Sequence, residues 1–218
     1  MGVSREQILI ASYSDGAFSL GLMMPAERTI SFGDSVYTGP LSIDIQTGNG
    51  DLKLVLNAIL NVKVDTQPKP LTFALGLKAG LSGASAYAQM LTDWINPCDI
   101  GKQVVVRGCA MEFGIVYATF FTTGMPGEIG LAGQLNIGEK EAKVAMKLSQ
   151  NPSEQLLAAH IKDLGIGDLI KFASQVVEKD LPEPPEGLLH FNDLDLYFST
   201  GTTIAQTYYP PGASLRVI

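Results

Sequence analysis

Cysteine, histidine and tryptophan are nearly missing from this chain: two, two and one in 218 residues. So few thiols exclude a disulfide-stapled scaffold, and Cys98 and Cys109 read as reduced buried thiols in preference to a bridge. Two histidines, with no cysteine at ligand spacing, exclude the usual zinc motifs. Charge is scarce as well: Asp, Glu, Lys and Arg make up 17% and sum to −7, where roughly 25% is usual. No Lys/Arg cluster exists to neutralise phosphates, which excludes nucleic acid as a partner and argues against adsorption to anionic lipid. No apolar run approaches the roughly 18 residues of a spanning helix, so no membrane span is expected. The start, MGVSREQILIAS, carries no signal-peptide pattern, and the compartment reads as cytoplasmic. There is no P-loop and no nucleophile elbow, and Gly48-Asn49-Gly50 is a hairpin turn too short for a dinucleotide fingerprint. The expectation is a non-enzymatic acidic protein with no cofactor.

What the chain does have is apolar residues, 46% of the total, in strand order. Leu52, Leu54, Leu56, Ala58, Leu60, Val62 and Val64 fall on one face of a period-two run. Lys53, Asn57, Asn61 and Lys63 fall on the other. Leu71, Phe73, Leu75, Leu77 and Leu81 repeat the pattern, opposite Ala74, Gly76 and Gly80, which are small enough for another element to approach closely. Ala142, Val144, Met146 and Leu148 alternate with Glu141, Lys143 and Lys147. Asn49-Gly50 suits a tight hairpin, because both residues accept positive φ. These runs predict an antiparallel meander with one wet and one dry face.

Two segments read as amphipathic helices. Tyr87, Met90, Leu91, Trp94 and Ile95 fit an i, i+3, i+4, i+7, i+8 stripe, with Ser82 as N-cap and Pro97 as the stop. Leu169, Phe172, Ala173, Val176 and Val177 form a second stripe, capped by Asp168 and closed by LPEPPEG (181–187). The predicted class is therefore α+β: an antiparallel β-meander built from about 80-residue repeats, each packing one amphipathic helix on the sheet.

The repeat rests on Thr-Gly pairs that close three apolar segments, at Gly39, Gly124 and Gly201, about 80 residues apart. The order strand, turn, strand, loop, strand, helix follows the first two. This predicts one continuous domain over 1–218: the end of a preceding unit (1–39), two full units (40–124 and 125–201) and a truncated third (202–218). On this reading the chain is a fragment of a longer array, or a module whose two ends pair.

Candidate chemistry is sparse. His160 and His190 each stand alone among apolar residues of a predicted strand and read as ordinary strand histidines. Asp193 and Asp195 are two apart in one strand, so both point to one face. Hard oxygen ligands placed so could hold a metal ion, and an edge or solvent face explains them equally. Tyr87, Trp94, Phe113, Tyr117 and Phe172 are the candidate lining of an apolar ligand cavity between helices and sheet. Tyr208-Tyr209 before Pro210-Pro211-Gly212 reads as a wide turn with exposed rings.

The residues Trp94–Pro97 (W-x-N-P), Thr123–Gly133 (TG-x-P-G-x-I-G-L-A-G), Asn151–Leu157 and Gly165–Ala173 together resemble β-rich repeat modules of very large microbial proteins, fungal ones among them. The resemblance covers about two-thirds of the chain. It implies one segment of a longer protein and carries over no activity, cofactor or site residue. Three functions follow from the residues, the last of them an enzyme of unknown class that would need a cluster around His160 or His190 with acids nearby. The first is a structural or interaction module that meets neighbouring repeats, or further copies of itself, through edge strands. The second is a carrier of an apolar small molecule such as a fatty acid, in a trough between sheet and helices.

Overall fold

A computed structural model describes residues 8–218 except 15, 25–28, 49–50, 66, 98–100, 102, 166, 169, 172–173, 175–181 and 183–189. The alternating runs do become strands, and they join one antiparallel sheet. The amino-terminal half contributes β1 (Ile8–Ser14), β2 (Ala17–Met24), β3 (Ser31–Phe32), β4 (Val36–Gly48), β5 (Asp51–Val62), β6 (Leu71–Ala79) and β7 (Gly83–Met90). The short β8 (Trp94–Ile95) precedes the long β9 (Val104–Val116) and the seven-residue helix α1 (Tyr117–Thr123). Then come β10 (Glu128–Ile137), β11 (Lys140–Ser149), β12 (Leu156–Gly165) and β13 (His190–Ser199). A small hairpin, β14 (Thr202–Ile204) and β15 (Thr207–Tyr209), precedes the last strand, β16 (Gly212–Val217).

Spatial order follows chain order: β1-β2-β4-β5-β6-β7-β9-β10-β11-β12-β13-β16, with β3 beside β4 and β8 beside β9. Neighbours are antiparallel throughout. β4 and β5 pair up to Gly48 and Asp51, and Asn49 and Gly50, read as a tight hairpin, lie outside the described residues. Two bulges interrupt the ladder. In β9 three steps (Arg107 to Ala110) face two in β10, around Gly108 at φ 56. In β4 an extra residue falls at Gly39-Pro40, so the first Thr-Gly pair marks a bulge. The second Thr-Gly caps α1, with Gly124 at φ 69 donating its N–H to the Phe120 carbonyl at 2.8 Å.

The α+β expectation is wrong: the described chain is almost entirely sheet. Residues 82–95, predicted as a helix, form β7 and β8. The segment GASAYAQM (83–90) has period two as well. Its Ala84, Ala86 and Ala88 alternate with Ser85, Tyr87 and Gln89, and pairing with β6 and β9 on both sides outweighs alanine's helical preference. Tyr87 and Met90, placed on one helical stripe, point to opposite faces of a strand. The apolar segment before Gly124, Val104 to Phe121, reads in the sequence as a strand-like run but turns into α1 at Tyr117. Of the second predicted helix, Asp168 and Lys171 are described and helical. Its stripe residues Leu169, Phe172, Ala173, Val176 and Val177 lie outside the described residues. No helix among the described residues is long and apolar enough to cross a membrane.

Candidate functional site

The two faces of the sheet differ in kind. Residues directly opposite in an antiparallel ladder project to the same side, so each face can be followed strand by strand. One row reads Leu9, Leu22, Ile43, Leu56, Leu77, Ala86, Phe113, Ile129, Leu148. The next in the second half reads Met111, Leu131, Met146, Leu157, Phe198, Ala213. Neither row contains a polar side chain. Several of these residues are exposed, among them Met111 at 56%, Leu148 at 57% and Leu9 at 67%.

The adjacent row, one residue along each strand, lies on the other face. It reads Met23, Ser42, Asn57, Gly76, Tyr87, Glu112, Gly130, Lys147, Leu156, Ser199. Glycine here makes room for large neighbours. A Cβ on Gly76 would strike the Tyr87 ring, and one on Gly130 would strike the Glu112 side chain. The small residue that the sequence offers at Gly76 thus admits the tyrosine of the neighbouring strand rather than a separate element.

The hairpin β14–β15 covers this polar face. It lies over a row of small residues, Ala110, Ala132, Ala145 and Ala158, and seals Ile204 completely (0% exposed). Polar contacts fix it from β7 to β13. Lys147 donates to the Thr203 carbonyl (3.0 Å), the Ala205 N–H donates to Glu112 (2.7 Å), and Gln206 donates to the Tyr87 hydroxyl (3.0 Å). Tyr197 and Ser199 donate to the Pro210 and Tyr209 carbonyls at 2.5 and 3.2 Å. Lys147, 7% exposed, pairs with Glu112 and with Glu128 at 3.0 Å. Burial disfavours its ammonium, but the two carboxylates outweigh that and hold its pKa above the ordinary lysine value. Of the two rings expected at the turn, Tyr208 is 63% exposed, whereas Tyr209 packs on the hairpin core.

A second polar cluster flanks the hairpin. β12 and β13 pair His160 with Asp195, and Asp193 lies on the same side two residues away. His160 Nδ1 stands 2.6 Å from Asp195 Oδ1 and 4.0 Å from Asp193 Oδ1, and one atom from each residue fits within 4.8 Å of the others. One nitrogen and two carboxylate oxygens are a chemically competent donor set for a divalent metal. Arg216, 3.5 Å from Asp193, already supplies positive charge there. The cluster opens into a cavity of about 490 Å³ lined also by Lys143, Tyr197, Tyr209 and Ser214. His190 sits at the far end of β13 and pairs with Asp163 at 3.1 Å. Neither histidine stands alone among apolar residues: each has a carboxylate partner, and strand alternation puts the two on opposite faces. Cys109 is a free, half-buried thiol whose pKa burial pushes up, and Cys98 lies outside the described residues.

The four described aromatic candidates do not converge. Tyr87 is on the hairpin side, Phe113 on the apolar side, Tyr117 in α1 against Phe121, and Trp94 in β8; Phe172 lies outside the described residues. Asp193 and Asp195 do share a face, and the structure adds His160 to them. Sequence reading missed the Glu112–Lys147–Glu128 group and the hairpin. Part of the signal for the first was there: Lys147 stands with Glu141 and Lys143 in the polar phase of a predicted strand. The chain matches no protein-family model, no curated protein and no solved structure.

Proposed function

We propose that this chain is a non-catalytic interaction module that works through the apolar face of its sheet, with the edges of β1 and β16 as secondary surfaces. The observation that carries this reading is the pair of cross-strand rows without a polar group, ten of whose fifteen side chains are exposed. A sheet with one apolar face needs a second layer against it. The hairpin supplies such a layer on the polar side. The exposed area supports the same reading. A compact monomer of 23.3 kDa exposes about 9,700 Å², and this chain exposes 13813 Å². Contact with neighbouring units of the same kind, as an array of repeats would provide, is one way to cover it.

The test combines sedimentation with binding of an apolar fluorescent dye. An interaction face is either covered by association or open to dye, and Leu131→Lys alters whichever holds. A monomer that binds no dye would end this reading, because the chain would then cover the face itself.

A second reading, carriage of a fatty acid or other lipid, draws on the same face. It loses the helical wall once expected from residues 82–95 but keeps an apolar surface. Lipid extraction of purified protein followed by mass spectrometry tests it: absence of any acyl species, with no uptake of a fluorescent fatty acid, counts against carriage.

A further inference from the structure

We infer that the occupant of the apolar face is a second copy of this chain, laid face to face across a two-fold axis near β7 and β9. The inference rests on the reading of that face as the interaction surface. Area is the first support. Twelve strands lie side by side in the main sheet order, a width of about 53 Å at ~4.8 Å per spacing. The apolar phase of β11 runs from Ala142 to Leu148, about 20 Å at ~3.4 Å per residue. One face thus offers roughly 1,000 Å², and two faces together about 2,000 Å², where standard interfaces give way to obligate ones.

Shape is the second support. β7 is the sixth strand of the twelve and places Ala84, Ala86 and Ala88 on this face. The larger Leu75 and Leu77 stand on one side of it, and Met111 and Phe113 on the other. A central furrow between two ridges accepts the ridge of an identical sheet, at the ~10 Å separation and aligned angle of stacked sheets. An isologous contact needs such self-complementarity, and a furrow at mid-sheet lets both faces overlap along their whole width.

The chemistry of the alternatives is the third. A single acyl chain is far narrower than the face. A bilayer would accept the apolar side chains, but among the described residues β1 and β16 end the sheet with unpaired backbone groups, which hydrocarbon does not tolerate. The identical apolar face of another copy demands no charge partner and leaves both edges in water.

Sedimentation velocity from about 1 to 100 µM should show a dimer, and Met111→Lys should weaken it by about tenfold or more, because a lysine would be buried unpaired. Gln134→Lys on the polar face should leave it unchanged. Should the lysine variant unfold, Ala86→Cys serves instead. A short bifunctional maleimide, which spans the gap between stacked sheets that a disulfide cannot, should link it to a partner copy far more fully than wild type or Ser85→Cys. A wild-type monomer that binds dye or floats with phosphatidylcholine vesicles overturns the dimer yet leaves the interaction face standing. A dimer that survives Met111→Lys and cross-links through Ile10→Cys on β1, not Ala86→Cys, overturns it in favour of edge pairing. A monomer that binds neither dye nor vesicle removes both readings.

Discussion

Among the described residues, Lys147 is the one cation on the sheet that is nearly sealed from water and still fully partnered. Its three donors meet Glu112, Glu128 and the Thr203 carbonyl. Lys147→Met keeps the aliphatic bulk but leaves two neighbouring carboxylates facing each other and a carbonyl without a donor. Breaking a buried ion pair from one side costs about 3–5 kcal/mol, so this variant should lose that much in urea denaturation. A change under about 1 kcal/mol would mean that water reaches the cluster and screens it, as at exposed pairs. Arg107 and Asp93, 2.8 Å apart but each near half exposed, are the comparison. Removing either should move stability by no more than about 1 kcal/mol. Such a buried cluster was only half visible in the residues. Lys147, Glu112 and Glu128 each occupy the polar phase of a strand, but alternation does not say which strands adjoin, and contact between 112 and 147 is a matter of register.

The β14–β15 hairpin is the element that turns a bare polar face into a packed one. Ile204 is its keystone, fully enclosed by Ala110, Ala145 and Leu156. Ile204→Ala should cost about 2–5 kcal/mol. Limited proteolysis should find cleavage between residues 200 and 212 before any loss of the sheet. Uniform loss of all strands together would show that the hairpin and sheet unfold as one unit. The hairpin should also respond to alkali. Lys147 is held above its ordinary 10.5 and Tyr209, desolvated against Tyr197, above its ordinary 10.0. Groups whose folded pKa is raised contribute stability that is present below the unfolded value and lost as pH rises through the folded one. Unfolding free energy should therefore stay flat from neutrality to about pH 10 and then fall, and Lys147→Met should lack part of the fall. Elements of this kind were unevenly legible. The strands β5, β6 and β11 stand in the alternation of the chain. β7 was hidden because its dry face is alanine, which satisfies a helical and a pleated period equally. Residues 202–209 were read as the start of a truncated third unit, not as a covering hairpin, because their partners lie some 60 to 120 positions earlier, beyond the reach of local pattern.

At the scale of the molecule, most charge on the strands lies on the hairpin side of one sheet. The other side keeps charged pairs, Lys140–Asp168 and His190–Asp163, at one end of β11, β12 and β13. Lys53, Asp51, Glu112, Glu128, Lys147, His160, Asp195 and Arg216 line cavities or clusters on the hairpin side. The rows through Phe113 and Leu131 on the other side carry none. That sorting was legible strand by strand, but the sequence suggested that helices would cover the dry face, and the segment expected to do so over 82–95 became part of the sheet. A surface without charge has a distinct response to salt. Ionic attraction between exposed groups weakens as the Debye length falls from about 10 Å at 0.1 M to about 3 Å at 1 M. Apolar burial is instead strengthened by excluded salts such as sulfate. Association through the apolar face should therefore survive about 1 M sodium chloride and tighten in ammonium sulfate, read as the dissociation constant in sedimentation. Edge pairing would retain the Arg216 and Asp193 side chains near β16 within its contact and weaken in sodium chloride. Dissociation at high sodium chloride would shift the site of contact from the face of the sheet to its rim.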